Sequence, residues 1–231
     1  MRNVKNKIVS LILVIVAFAS LLSFTSCNRK YDKEEVIAAA KALLKDAELL
    51  NEVYYGSGIR YYDIEIENAG YYKRADDEHL KELGFSTVNE LKALTEKTFS
   101  YSYSQNVFST ILIGLKEDGK VVSAARYYQY TNEETEESYI MVYTKHEAIL
   151  KDKISYDYDS VRVERSKKEN VYVKVDATVT NSQGDSQKVT ITVVLIEEAN
   201  GWRICNPTYA NYNALNDRYN ELENQKIKNN K

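Results

Sequence analysis

Val171–Leu195 reads VYVKVDATVTNSQGDSQKVTITVVL, and this stretch decides the fold. Val171, Val173, Val175, Ala177 and Val179 fall on one parity, with Tyr172, Lys174, Asp176, Thr178 and Thr180 on the other. A period of two, with β-branched residues on one row, predicts a strand that buries one face and wets the other. Asn181–Asp185, with Gly184, makes a turn. Val189, Ile191, Val193 and Leu195 then resume the inward row, with Thr190 and Thr192 outward.

The strands continue on both sides. Val161 and Val163 predict an inward row on a strand starting near Tyr156, while Ala199-Asn200-Gly201 turns into a strand at Trp202–Asn206. Pro207, the only proline, stops that strand because it has no amide hydrogen to donate. Upstream, Val121–Tyr130 and Ser138–Thr144 read as two strands around an acidic loop at Thr131–Glu137. They are introduced by Glu117-Asp118-Gly119-Lys120, a hairpin turn of the Asp-Gly type.

Before residue 116 the period changes. Val36, Ala40, Leu43, Ala47 and Leu50 recur at three and four, widened by Ile37, Leu44 and Val53, and predict a long amphipathic helix. Asp32 with Glu35 offers a capping box, and Gly56-Ser57-Gly58 a left-handed exit. Ile59–Ala75 reads as an irregular loop with one short extended piece, and Asp76–Leu83 as a short helix stopped at Gly84. Thr87 and Glu90 form a second capping box, opening a helix through about Thr98. Ser104–Gly114 fits a helix or a strand. Tyr209, Tyr212, Leu215, Tyr219 and Leu222 suggest a short helix before a disordered tail.

Helices first, then a meander of long antiparallel strands, is an α+β order. That order, with the closing Gly201-Trp202-Arg203-Ile204 and Pro207-Thr208-Tyr209, resembles the nuclear transport factor 2-like (ketosteroid isomerase-like, cystatin-like) superfamily over roughly Glu34–Tyr209. More narrowly it looks like the superfamily's lipoprotein members. The resemblance implies N-terminal helices packed on a strongly curved antiparallel sheet, cone-shaped, with a pocket inside; it implies no single activity.

Residues 1–26 read as a signal: Arg2, Lys5 and Lys7 without an acid, then an apolar run Ile8–Leu22, then small polar residues. The run is short of the ~20 apolar residues that an uncleaved anchor needs. Phe24-Thr25-Ser26-Cys27 resembles the lipobox of bacterial lipoproteins, with Phe24 where Leu is usual. That resemblance implies a diacylglycerol thioether on Cys27 and so a lipidated linker at 27–31; the patterning then places a domain at 32–209 and a short helix and tail at 210–231. It places the protein in the bacterial cell envelope, lipid-anchored on the extracytoplasmic face of the membrane.

Composition narrows the partners. Without the signal, 28 cations face 34 acids, a net charge of −6, so nothing attracts nucleic acid. Cys205 would be the only thiol left, so no internal disulfide is available, and a buried inert thiol is the expectation. Twenty tyrosines against five phenylalanines suit half-exposed sheet positions, a wet pocket or an interface.

The chemistry-bearing clusters are sparse. Asp76, Asp77 and His79 are read as a solvated helix face rather than a carboxylate–imidazole pair, and His146 has no evident partner. Asp63-x-Glu65-x-Glu67 alternates with Ile64 and Ile66 as a strand does, and its glycine falls too late for an EF-hand. No metal set and no cofactor motif is expected. What remains is the cone. Tyr54, Tyr55, Tyr61, Tyr62, Arg126, Tyr128 and Trp202 either line an open pocket, with Arg126 near its mouth, or fill it as core. The reading is therefore a non-catalytic binding or interaction domain for a small ligand or an envelope protein. The alternative is an isomerase- or dehydratase-like enzyme using the cone. At 205 residues the chain lacks room for the two lobes of a solute-binding protein.

Overall fold

The computed structural model describes residues 31–207, except Glu65, Asn68, Asp118, Gly119, Glu147, Ile149, Leu150, Lys151 and Ser182; for 115–123 only the backbone is described. The expected signal, Cys27, the Asp-Gly turn residues and the C-terminal helix lie outside the described residues. The compact unit starts at Asp32. Its element order is α1 Lys33–Tyr55, β1 Tyr72–Arg74, α2 Asp77–Leu83, α3 Val88–Thr98, α4 Tyr101–Val107, a π-helical turn Phe108–Ile113, β2 Leu115–Glu117, β3 Lys120–Ser123, β4 Tyr127–Thr131, β5 Ser138–Tyr143, β6 Lys153–Lys167, β7 Asn170–Thr180, β8 Ser186–Glu198 and β9 Gly201–Asn206. The fold class is α+β with antiparallel sheets, as the patterning predicts.

The long meander β6-β7-β8-β9 is one sheet, in chain order. Val171 pairs with Leu195, Val173 with Val193 and Val175 with Ile191, so both apolar rows share a face, and all six are buried. Asn181 Oδ1 accepts from the amides of Gln183 and Asp185, which closes the turn. The remaining strands do not join this sheet. Val121–Tyr130 breaks at residues 124–126, where the Arg126 amide donates to the Ile111 carbonyl instead of continuing a ladder. β2 and β3 pair only with each other, and β4 joins β5 and β1 in a three-stranded sheet of order β1-β5-β4.

Helix α1 follows its stripe: Val36, Ala40, Leu43, Leu44, Ala47, Leu50 and Val53 are buried. Its N-cap differs from expectation. Asp32 accepts from the Glu34 amide, with no reciprocal bond from Glu35. Glu35 Oε1 accepts instead from Trp202 Nε1 at 3.4 Å, pinning the start of α1 to β9. The left-handed residue at the other end is Gly58 (φ +80°), not Gly56 (φ −91°). The Thr87–Glu90 capping box is present, and Asp76 caps α2 by accepting from the Glu78 and His79 amides. Ser104–Gly114 resolves as helix. Ile64 lies in irregular backbone and is 62% exposed, so the strand-like alternation at Asp63–Glu67 is not realised.

Three bulges shape the long sheet, one of them a single extra β6 residue between Val163 and Arg165. Asp157 pairs with Asp176 and Arg162 with Lys174, so β6 carries three extra residues there. Tyr156 and Val161 are consequently buried on the same side despite opposite parity. The bulge reaches α1: Asp159 pairs with Lys41, Lys45 sits over the Tyr158 ring, and the Tyr158 hydroxyl donates to Glu48. On β9, Leu195 pairs with Ile204 but Val194 with Asn206, leaving Cys205 as the extra residue. Cys205 is exposed, not buried, because its neighbours Trp202 and Ile204 take the inward row.

Candidate functional site

The residues expected to line one cone are distributed over four places. Tyr54 and Arg126 meet at the C-terminal end of α1. Tyr54 is 1% exposed and its hydroxyl is 2.6 Å from Thr95 Oγ1, which itself donates to the Leu91 carbonyl. Burial holds the Tyr54 phenol well above its usual range. Arg126 is 4% exposed: Nη1 donates to the Tyr54 carbonyl at 2.5 Å and Nη2 to the Gly56 carbonyl at 2.8 Å. The guanidinium thus satisfies the carbonyls that a helix leaves open at its end, where the helix dipole also favours a cation. It does not stand at a pocket mouth. Neighbouring Tyr127 is fully buried; its hydroxyl donates to the Val53 carbonyl at 2.6 Å and accepts from the Ile59 amide at 3.2 Å. Burial pushes that phenol up to about 12. A Cβ on Gly58 would stand 2.3 Å from Arg126 Nη2 and 2.6 Å from the Tyr127 hydroxyl, so the chain passes this clasp only as glycine.

Tyr55 stays beside Tyr54, with ring centroids 6.3 Å apart, whereas the other expected residues lie elsewhere. Tyr55 is half-buried, with its hydroxyl 3.4 Å from that of Tyr103. Tyr61 is 43% exposed beneath Lys73, and the Tyr62 hydroxyl accepts from the Asp77 amide. Trp202 sits by Glu35, 19 residues before Tyr54 on one helix, hence about 28 Å from it at 1.5 Å per residue. Trp202 and Tyr54 therefore sit at opposite ends of α1.

The polar clusters considered for chemistry are engaged structurally. Asp76 caps α2, Asp77 pairs with Arg74 at 2.9 Å, and His79 Nδ1 accepts from the Arg60 amide at 2.8 Å. Asp63 pairs with Lys73, a hydrogen bond that holds its carboxyl below the usual range. His146 is half-buried, with Nε2 buried and unpartnered; burial first, then the charge of Arg126, takes its pKa down to about 4. Among the described residues no group of three His, Cys, Asp or Glu side chains could hold a metal ion.

Two surface features come forward instead. The β6 bulge opens a groove of about 520 Å³ on the outer face of the long sheet, lined by Asp157, Arg162, Asp176, Thr178, Lys188 and Thr190. Asp176 already accepts from Thr190 Oγ1 at 2.7 Å and faces Arg162 at 3.4 Å, and these bonds lower its pKa. The second feature is the outer face of β1-β5-β4. Register puts Tyr72, Arg74, Tyr128, Tyr130, Tyr139, Met141 and Tyr143 on one side. Met141 is buried at its centre, while the five tyrosines are half-buried around it. Their rings order one another, with centroids at 4.8 Å for Tyr72–Tyr128, 5.2 Å for Tyr72–Tyr143 and 5.2 Å for Tyr130–Tyr139. Arg74 lies 4.9 Å over the Tyr139 ring. The Tyr72 hydroxyl donates to the Ala125 carbonyl, whereas among the described residues those of Tyr128, Tyr130, Tyr139 and Tyr143 have no partner.

Of the expected pocket set, only Tyr128 belongs to this face. The signal for the rest was the spacing Tyr128-x-Tyr130 and Tyr139-x-Met141-x-Tyr143, which places aromatics on alternate positions of both strands. No family model, no curated protein and no solved structure matches the chain.

Proposed function

We propose that this protein is a non-catalytic binding or interaction domain, lipid-anchored through Cys27 on the extracytoplasmic face of a bacterial membrane. It engages its partner on the outer tyrosine face rather than in an interior pocket. The observation that carries the binding reading is the contrast between the two tyrosine sets. Tyr54 and Tyr127 are buried and hydrogen-bonded beside Arg126, while the hydroxyls of Tyr128, Tyr130, Tyr139 and Tyr143 on the outer face have no hydrogen-bond partner among the described residues. A ring held in place loses little freedom on binding, which is why rigid tyrosines make good contact surfaces. An isomerase- or dehydratase-like site would instead need an enclosed acid or base beside a donor. Arg126, the expected cation of that pocket, is spent on backbone carbonyls.

The anchor rests on the order of Met1–Cys27, and the superfamily resemblance belongs to the same proposal. Helices precede the meander, and α1 packs against β6 and β9, as that superfamily's order implies. An experimental structure with the sheet wrapped around the helices would support it; a flat sheet would count against it. Anchoring is tested by Cys27→Ala with membrane fractionation. The variant should be unprocessed or released. Cleavage before residue 27 with continued membrane retention would sink the lipoprotein reading.

A further inference from the structure

Building on the surface-binding reading, we infer that the tyrosine face docks a basic segment of a partner protein, with an Arg or Lys side chain over Tyr130, beside the Arg74–Tyr139 stack, and facing the Asn132–Glu137 loop. The loop joins β4 to β5, directly beyond the Tyr130–Tyr139 pair. It is built rather than slack. The Asn132 amide donates to the Glu137 carbonyl, the Glu136 amide to the Asn132 carbonyl, and Asn132 Oδ1 accepts from the Glu134 and Thr135 amides. Glu133, Glu134, Glu136 and Glu137 are all exposed, and none is ion-paired among the described residues. Half-exposed π faces beside four uncompensated carboxylates complement a cation carried on an apolar stem.

The fold already makes this contact once. Arg74 lies over Tyr139 with Asp77 at 2.9 Å behind it, so a cation between a tyrosine ring and a carboxylate is at home on this surface. A partner's Arg would repeat the arrangement over Tyr130, with the loop glutamates in the role of Asp77. The charge also argues against other occupants. A neutral glycan can stack on tyrosines but has no use for the carboxylates, and an acidic partner is repelled by them. A second copy would bring the same acidic loop on a chain that is net negative.

The test is calorimetric titration of the full-length protein in detergent with three probes. These are a blocked peptide of alternating arginine and glycine, its glutamate counterpart, and a neutral glucose hexasaccharide. The arginine peptide should bind at low salt and weaken as ionic strength passes about 0.1 M, where the screening length falls to about 10 Å. Two variants should each weaken it about tenfold or more: Tyr130→Ala with Tyr139→Ala, and Gln at all four loop glutamates. The second variant changes only exposed side chains, so circular dichroism should remain native. Lys174→Ala, on the other sheet, should bind as the parent does. The proposal is overturned if the arginine peptide does not bind, if the glutamate peptide binds equally, or if both variants retain full affinity. Hexasaccharide binding lost with the tyrosines would overturn the basic partner yet leave surface binding standing. A small molecule turned over by this protein, with turnover lost on one substitution, would instead sink the surface-binding reading.

Discussion

At the scale of the residue, the chain turns on Gly58 and on the adjacent pair Arg126 and Tyr127, which closes on it from far along the sequence. Tyr127→Phe removes a hydroxyl that serves the Val53 carbonyl and the Ile59 amide in a fully buried place. The expected cost is about 1–3 kcal/mol, because both partners lose their bond and water cannot enter. Gly58→Ala adds a Cβ at φ +80° against Arg126 and Tyr127, and should cost at least as much. Thermal unfolding checks both, at about 2–4 °C per kcal/mol for a chain of this size; unchanged midpoints would refute the clasp. His146 supplies a pH prediction. Its folded-state pKa of about 4 lies below the ordinary histidine value of about 6.5, so the neutral ring is the form the fold accepts. The stability it contributes is complete above pH 6.5 and is lost as pH falls toward 4. His146→Gln should flatten that part of the melting-temperature profile, and a profile identical to the parent's would count against the burial of Nε2. Neither Arg126 nor His146 was legible in this respect from sequence. A charged residue on a strand reads as a surface or mouth position. Only the return of the chain 70 residues after Gly56 shows that backbone carbonyls take the charge.

At the scale of the element, strand register makes the sharpest prediction. Val175 is fully buried opposite Ile191, while Lys174 points the other way and pairs with Glu164 at 2.7 Å. Val175→Asp should cost about 3–5 kcal/mol or prevent folding, since it buries a charge with no partner. Lys174→Asp should cost no more than about 1 kcal/mol, since it disturbs one exposed pair. Similar denaturant midpoints for the two would refute the register. The elements built on strict periodicity were the legible ones: α1, α3 with its capping box, β7 and β8. The misread ones each carry a device that breaks the period. Three extra residues on β6 shift the inward parity between Tyr156 and Val161. Residues 124–126 divide what reads as one strand into β3 and β4 of different sheets. Alternation reports which side a residue faces only while the ladder is unbroken.

At the scale of the whole molecule, sequence order was enough for α+β, but not for the division into three sheets, which depends on where the chain leaves a ladder. The surface was harder still. Tyrosine count is visible in the sequence, yet whether Tyr128, Tyr130, Tyr139 and Tyr143 pave one face depends on pairing register. One pairing has a consequence for how the chain is completed. β9 supplies the partner for a segment made a hundred residues earlier: Phe99 bridges Ile204, and the Ser100 amide donates to the Ile204 carbonyl. Trp202 likewise closes on Glu35, at the first turn of α1. Synthesis runs from the N-terminus, so the helices emerge with their seat still missing, and contacts of such long range form late and slowly. A chain stopped after Glu198 should therefore be degraded by protease throughout rather than merely trimmed; a protected fragment containing α1 and β7 would show that the last strand is dispensable. The final six residues of the sheet thus act as a latch on assembly, holding the first turn of α1 and the Phe99–Ser100 link only once the whole sheet has been made.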